Sequence, residues 1–161
     1  MAKLDLKKEL KHLYNPSSKE PEFVDVPPLN YLMIDGQGQP DGTQAVAAIE
    51  TLYTVAYTLK FTIKKELGID YGVPPLEGLW WSDDMTDFTE GRRDRWRWTY
   101  MIMQPDFITP VMVEKAVVEV RRKKQPAAID KIRFQSLTEG KAAQIMHIGP
   151  YSEEGPNIQK L

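Results

Sequence analysis

Apolar residues recur every three or four positions between Thr43 and Leu67. Ala45, Ile49, Leu52, Ala56, Leu59 and Ile63 make one stripe, which predicts a long amphipathic helix that Gly68 stops. Tyr53, Tyr57 and Phe61 make a second stripe at four-residue spacing, read either as core or as the wall of a cavity. Strict alternation takes over from Arg95 to Met103. Trp96, Trp98, Tyr100 and Ile102 point one way, and Arg95, Arg97, Thr99 and Met101 the other. With Leu76–Ser82, which carries Trp80 and Trp81, this segment predicts an antiparallel hairpin whose long polar loop is Asp83–Asp94. Trp80 and Trp81 are adjacent, so they face opposite sides of their strand.

The remaining punctuation completes the outline. Asn30–Gly36 is an apolar run flanked by Pro and Gly and reads as a buried strand. Gly36–Gly42 is a glycine-bearing turn before the helix; its spacing matches neither phosphate-binding fingerprint. Thr109 caps a second helix running to Lys124, with Pro110 at its first position and Arg121–Lys124 complementing the dipole at its end. Ile132–Leu137 and Lys141–Ile148 read as strands joined in a hairpin at Glu139-Gly140. Residues 1–20 read as a helical arm, and residues 21–28, with three prolines, as an extended lead-in.

One motif occurs twice. Leu32–Gly36 leads through a turn to the long helix, and Ile145–Gly149 leads through a turn to a helix start near Ser152. This predicts an α+β fold of duplicated β-α-β-β units, with antiparallel sheet around a central cleft. The first unit spans about 28–124. The second, about 131–161, is expected to be incomplete because Leu161 arrives before its helix and two strands are finished.

Composition narrows the chemistry. Among 161 residues there is no cysteine, which removes disulfides, thiolate metal sites and a cysteine nucleophile and fits a cytoplasmic location. The two histidines are far apart in sequence and form no metal motif, so neither metal nor cofactor is expected. A net charge of −2 offers no field for nucleic acid, and no apolar run suits a membrane. Four Trp, seven Tyr, five Phe and seven Met are the surplus, and the Trp cluster lies between Trp80 and Trp98. Large flat apolar side chains suit a pocket for hydrophobic, planar molecules. Aromatic stripes of this spacing also suit a core.

Four segments carry a resemblance to a known family: Tyr31–Gly38 (YLMIDGQG), Gly78–Ser82 (GLWWS), Trp96–Met103 (WRWTYMIM) and Lys141–Tyr151 (KAAQIMHIGPY). Over residues 21–161 the chain resembles the GyrI-like domain, the effector-binding domain of multidrug-sensing regulators, in its standalone bacterial branch. The resemblance implies two β-α-β-β units about a pseudo-twofold axis and a cleft for a hydrophobic small-molecule ligand or xenobiotic. It also implies, for one subfamily, hydrolysis of cyclopropane-bearing DNA-alkylating compounds in an aromatic cage. Inhibition of a gyrase-like partner is a third expectation. Members of the family usually end in two further strands, with a carboxylate facing the cleft, that this sequence does not reach.

The expected ligand-binding residues are Tyr53, Tyr57, Trp80, Trp81, Trp98 and Tyr100, with Tyr100 also the candidate proton donor in catalysis. Glu77, Asp83 and Glu153 are candidate carboxylates, since burial in an apolar cleft would raise the pKa of any of them. His147 reads as a structural histidine and Tyr151 as a packing residue at the helix start. Oligomeric state is not legible.

Overall fold

The computed structural model describes residues 2–161. In chain order the elements are α1 (Leu6–Glu9), β1 (Glu22–Val26), β2 (Leu29–Gln37), α2 (Thr43–Leu67), β3 (Leu76–Trp81), α3 (Thr86–Thr89), β4 (Arg97–Gln104), α4 (Pro110–Lys123), β5 (Arg133–Leu137), β6 (Gly140–Gln144) and α5 (Gly155–Lys160). The fold is α+β. Strands β3-β4-β2-β5 form an antiparallel sheet, and β1 and β6 form a separate two-stranded ribbon.

Helix α2 follows its stripe. Ala45, Ala48, Leu52, Val55, Ala56, Leu59 and Ile63 are buried against the sheet. Each large aliphatic among them contributes roughly 1.5–3 kcal/mol by leaving water. Gly68 ends the helix at φ 69°, a left-handed conformation that glycine adopts without strain. Helix α4 packs beside α2 through Val113, Ala116 and Val120, and the Thr109 hydroxyl accepts from the Met112 amide at its start.

The expected hairpin of Ile132–Leu137 with Lys141–Ile148 is not formed. Strand β5 pairs with β2 and β6 pairs with β1, and β6 ends at Gln144. Gly140 does adopt a left-handed turn conformation, φ 66°, yet the chain runs onward instead of folding back. Leu29 faces Leu137 and Val26 faces Gly140, so one register runs through both sheets. Pro27-Pro28 sit at the break, where the missing amide hydrogens interrupt the ladder. The proline-rich lead-in is therefore a strand, and β1 with β6 is an arm that continues β2 with β5 beyond the main sheet.

The side of the sheet away from the helices carries a second, smaller core of Tyr31, Met33, Met101 and Met103. The N-terminal arm lies over it as a strap. Leu6, Leu10 and Tyr14 pack against this core. Near its start, Leu4 bonds Asp70 and Gly72 through its backbone; beyond Tyr14, the Ser17 carbonyl accepts from Met146.

Beside the strap, the buried Lys60 ammonium reaches Asp70 Oδ1 at 2.8 Å and the Tyr71 carbonyl, while Lys64 reaches Asp70 Oδ2 at 3.0 Å. Hydrogen bonds from Lys60 and then Lys64 hold the Asp70 carboxyl down at about 2. A depressed carboxylate contributes stability that is present above its ordinary value of 3.8 and lost as pH falls through the folded value. Asp70→Asn is expected to remove that acid limb from the stability curve. It is also expected to lower the melting temperature at neutral pH, because Lys60 stays buried without its counter-charge. Thermal melts from pH 2 to pH 7 check both effects.

Candidate functional site

On the helix-facing side the sheet carries a chain of aromatic contacts. Phe88 stacks on Trp96 with ring centres 4.8 Å apart; Trp96 meets Trp80 edge-on at 5.9 Å; Trp80 meets Tyr100 at 5.4 Å; Tyr100 meets Trp98 at 4.7 Å. Each such pair adds about 0.5–1.5 kcal/mol beyond burial. Trp98 is fully buried and Tyr100 nearly so. Alternation alone suggests a large cleft opposite the α2 alanines. Instead, Trp98 fills that space over Gly36, where a Cβ would lie 2.1 Å from its Cη2 atom. The Tyr100 hydroxyl lies 3.5 Å from the Pro40 carbonyl, and burial raises its pKa. Tyr53, Tyr57 and Phe61 form a separate stacked ladder on α2, with Tyr57 and Phe61 exposed.

The loop that delivers Trp96 and Phe88 is organised by Asp87, which in the sequence is one charge among many in a polar stretch. Asp87 is buried, accepts from Ser82 Oγ at 2.6 Å and from Arg92 Nε, and its carbonyl accepts from Trp96 Nε1. The Ser82 hydrogen bond is the largest influence on its carboxyl, which titrates below the usual range.

The opposite side differs in character. Register places three rows of side chains across it: Trp81, Arg97 and Gln37; then Leu79, Thr99 and Asp35; then Glu77, Met101, Met33 and Arg133. Asp35 is occupied, accepting from Thr99 at 2.6 Å and pairing with Arg133 at 2.8 Å. Glu77 is not. Two methionines separate it from Arg133, roughly 14 Å at ordinary strand spacing. Its Oε2 atom is buried without a hydrogen-bond partner. Burial, and then the charge of Glu139, pushes its pKa up to about 7. The Glu77 charge in turn adds to the burial that raises Tyr31 and that pushes Tyr14 up to about 12. A carboxyl poised near neutrality and ringed by methionine, leucine and tyrosine is a candidate proton donor or water-orienting group.

The strap covers the Glu77 end of this face. At the other end Trp81, 38% exposed, opens on a cavity of about 610 Å³ that Arg97, Gln37 and Lys131 also line. Trp81 and Glu77 lie four residues apart on one strand, about 13 Å. Of the six expected ligand residues, Trp80, Trp98 and Tyr100 thus come together on the helix side. Trp81 stands alone on the strap side, and Tyr53 and Tyr57 sit on α2.

The other candidates settle elsewhere. Asp83 pairs with Arg97 at 2.7 Å, and Glu153 is exposed. His147 contacts the Pro150 carbonyl through Nε2 at 2.8 Å and Asn157 through Nδ1 at 3.0 Å, so both ring nitrogens are used to fold the C-terminal turn. Tyr151 is 86% exposed, and it lies near enough to Tyr100 to add to the burial that raises that phenol. Among the described residues no group of three His, Asp or Glu could hold a metal ion, and no helix is long and apolar enough to cross a membrane. The signal for the strap's apolar side is the four-residue spacing of Leu6, Leu10 and Tyr14, although where it docks is not written in that spacing.

A profile of the GyrI-like small molecule binding domain matches residues 19–161. No curated protein matches the chain. Three crystal structures from Listeria innocua are similar to it. A conserved protein described as uncharacterized has a TM-score of 0.89 at 40% identity, over 98% of this chain and 78% of its own. A hydrolase has a TM-score of 0.84 at 39% identity, over 98% and 77%. A hydrolase encoded by lin2189 has a TM-score of 0.85 at 39% identity, over 99% and 78%.

Proposed function

The chain belongs to the GyrI-like small molecule binding domain family, and from that premise we propose that it takes a hydrophobic, planar molecule on the strap side of its sheet, between Trp81 and Glu77. The observation that carries this reading is Glu77, a half-buried carboxyl whose Oε2 is buried without a partner and whose pKa lies near 7, at the apolar Met33 and Met101 end of this face. Trp81 offers the stacking surface at the open end. The ligand advances along β3 and lifts the strap from Met33 and Met101. Trp80, Trp98 and Tyr100 back the same strands and hold Trp81 and Glu77 in register.

A second reading, hydrolysis, is favoured by the same carboxyl and by two similar structures being hydrolases. The substrate class is a strained cyclopropane conjugated to a carbonyl. Protonated Glu77 donates to the carbonyl oxygen, and water attacks a ring carbon. The ring C–C bond breaks, with its electron pair moving into the conjugated system. The water's second proton returns to the Glu77 carboxylate, and the product is one water heavier.

Tryptophan fluorescence during titration with a panel of planar hydrophobic compounds, followed by mass spectrometry, tests both readings. Saturable quenching is expected, and Trp81→Ala is expected to weaken binding about tenfold or more. Glu77→Gln is expected to leave binding within about threefold while suppressing any conversion by at least about a hundredfold. Quenching with unchanged ligand leaves the binder alone standing. An unquenched spectrum across the panel removes the whole reading.

A further inference from the structure

The outer side of α2 carries aromatic residues that neither the core nor the Glu77 face uses. Tyr53, Tyr57 and Phe61 stack in a row with ring centres 6.3 and 6.2 Å apart. Tyr57 is 45% and Phe61 58% exposed. Single exposed apolar residues are ordinary, but aromatic rings stacked along one helix make a continuous patch, and such patches mark interaction surfaces. Helix α4, packed alongside, also exposes Val111 and Val118 on the side away from the core. Charges stand at both ends of the aromatic row. Glu50 lies seven residues before Tyr57 and Lys64 seven after, so the three share one line of the helix about 21 Å long. Glu50 is exposed, and among the described residues no cation pairs with it. Lys64 bonds Asp70 yet remains 55% exposed, with ammonium donors to spare. A row with an acid at one end, a base at the other and a tyrosine midway is complementary to itself turned end for end.

We propose that this row is the contact surface for a second copy of the chain, α2 lying antiparallel on α2 with a twofold axis at Tyr57. Tyr57 meets the partner's Tyr57, Tyr53 meets the partner's Phe61, and Glu50 meets the partner's Lys64. Symmetry makes each of the last two contacts twice. A parallel pairing would set Glu50 on Glu50 and Lys64 on Lys64, and like charges oppose it. One helix row, even with the α4 valines at its flank, buries less than the roughly 800 Å² per partner of a standard interface. The dimer is therefore expected to be weak, with a dissociation constant on the order of 100 μM. The pairing uses the helix side of the sheet. It leaves both Trp81 cavities and both straps open, so ligand binding on the Glu77 face is expected to be the same in monomer and dimer.

Sedimentation velocity across the micromolar to millimolar range is expected to show the mass rise from the 18.5 kDa of one chain toward twice that value. Tyr57→Lys sets two like charges on the axis and is expected to leave a monomer at every concentration. Glu50→Lys opposes two lysines at each end and is expected to weaken association about tenfold. In a parallel dimer the same change would trade one like pair for another and alter little. The chain has no cysteine, so an introduced one reports the register. Mild oxidation is expected to link Tyr57→Cys to its own copy, whereas Val46→Cys, remote from the axis, is expected to stay unlinked. All three positions are exposed, so the variants are expected to fold, which circular dichroism checks. A single species of one-chain mass at millimolar protein would overturn the proposal. So would a dimer that both Tyr57→Lys and Glu50→Lys leave intact, or one that links through Val46→Cys and not through Tyr57→Cys.

Discussion

Glu77→Gln is expected to make the protein more stable at pH 8, by about 1–3 kcal/mol, and to flatten its stability between pH 5 and pH 8. The reason is the environment of the carboxyl. Its folded pKa of about 7 lies above the ordinary 4.5, so the folded state holds a proton that the unfolded state has already released across that interval. Stability from this group is complete below about pH 4.5 and falls as pH rises toward 7. Above 7 the protein carries the cost of a half-buried charge with Oε2 unpartnered, about 1–3 kcal/mol. Glutamine keeps the shape without the charge. Urea unfolding of both proteins at several pH values makes the measurement, and comparing them at each pH cancels every group they share. Parallel curves would mean that the carboxyl is already solvated in the folded protein, and the case for Glu77 as a poised acid would go with them.

Gly36→Ala is expected to cost about 3 kcal/mol or more, an effect out of scale with one methyl group. The new Cβ would lie 2.1 and 2.3 Å from two ring carbons of Trp98 and 2.7 Å from Gln44 Oε1. Trp98 cannot retreat, because it is fully buried beneath α2 and against Tyr100. Gly78 is the control. Its added Cβ would meet Trp80 Nε1 at 2.8 Å, on a half-buried indole of the edge strand β3, and Gly78 itself is exposed. Gly78→Ala is therefore expected to cost well under half as much. Denaturant midpoints give the comparison. Equal, small losses would mean that Trp98 has room to move.

Local pattern carried much of the architecture. The three-and-four spacing of Leu52, Ala56, Leu59 and Ile63 placed α2 because one side of it is buried, and the Trp98–Ile102 alternation placed β4, although Thr99 and Met101 on its other side are buried as well. Two elements were illegible for definite reasons. Glu139-Gly140 is a turn signal by composition, but the path of the chain beyond Gly140 depends on whether β1 is present to capture β6, and no local window contains both strands. The burial of Trp98 and of Glu77 was not legible either. Trp98 looked like a pocket residue because its neighbours on α2 are small, whereas those alanines and Gly36 are small so that an indole fits between helix and sheet. Glu77 is one of three candidate carboxylates in the sequence, and nothing local singles it out, because the arm that covers its end of the sheet is more than sixty residues away in the chain.

The unbroken register of the ribbon has a kinetic consequence. Val26 and Gly140 pair across more than a hundred residues, so this ladder contributes the longest-range contacts of the strand pairings. Closing a loop of that size must precede any reward from it, and topologies rich in such contacts fold slowly. During synthesis β1 leaves the ribosome long before β6 does, and the Glu22–Val26 strand then waits with its edge unsatisfied. The exposed Phe23 lies on that strand. The interval between translation of β1 and arrival of β6 is thus when the nascent chain is open to association through an unpaired edge, and Glu22 and Asp25, the charges on that strand, are placed to discourage a wrong partner.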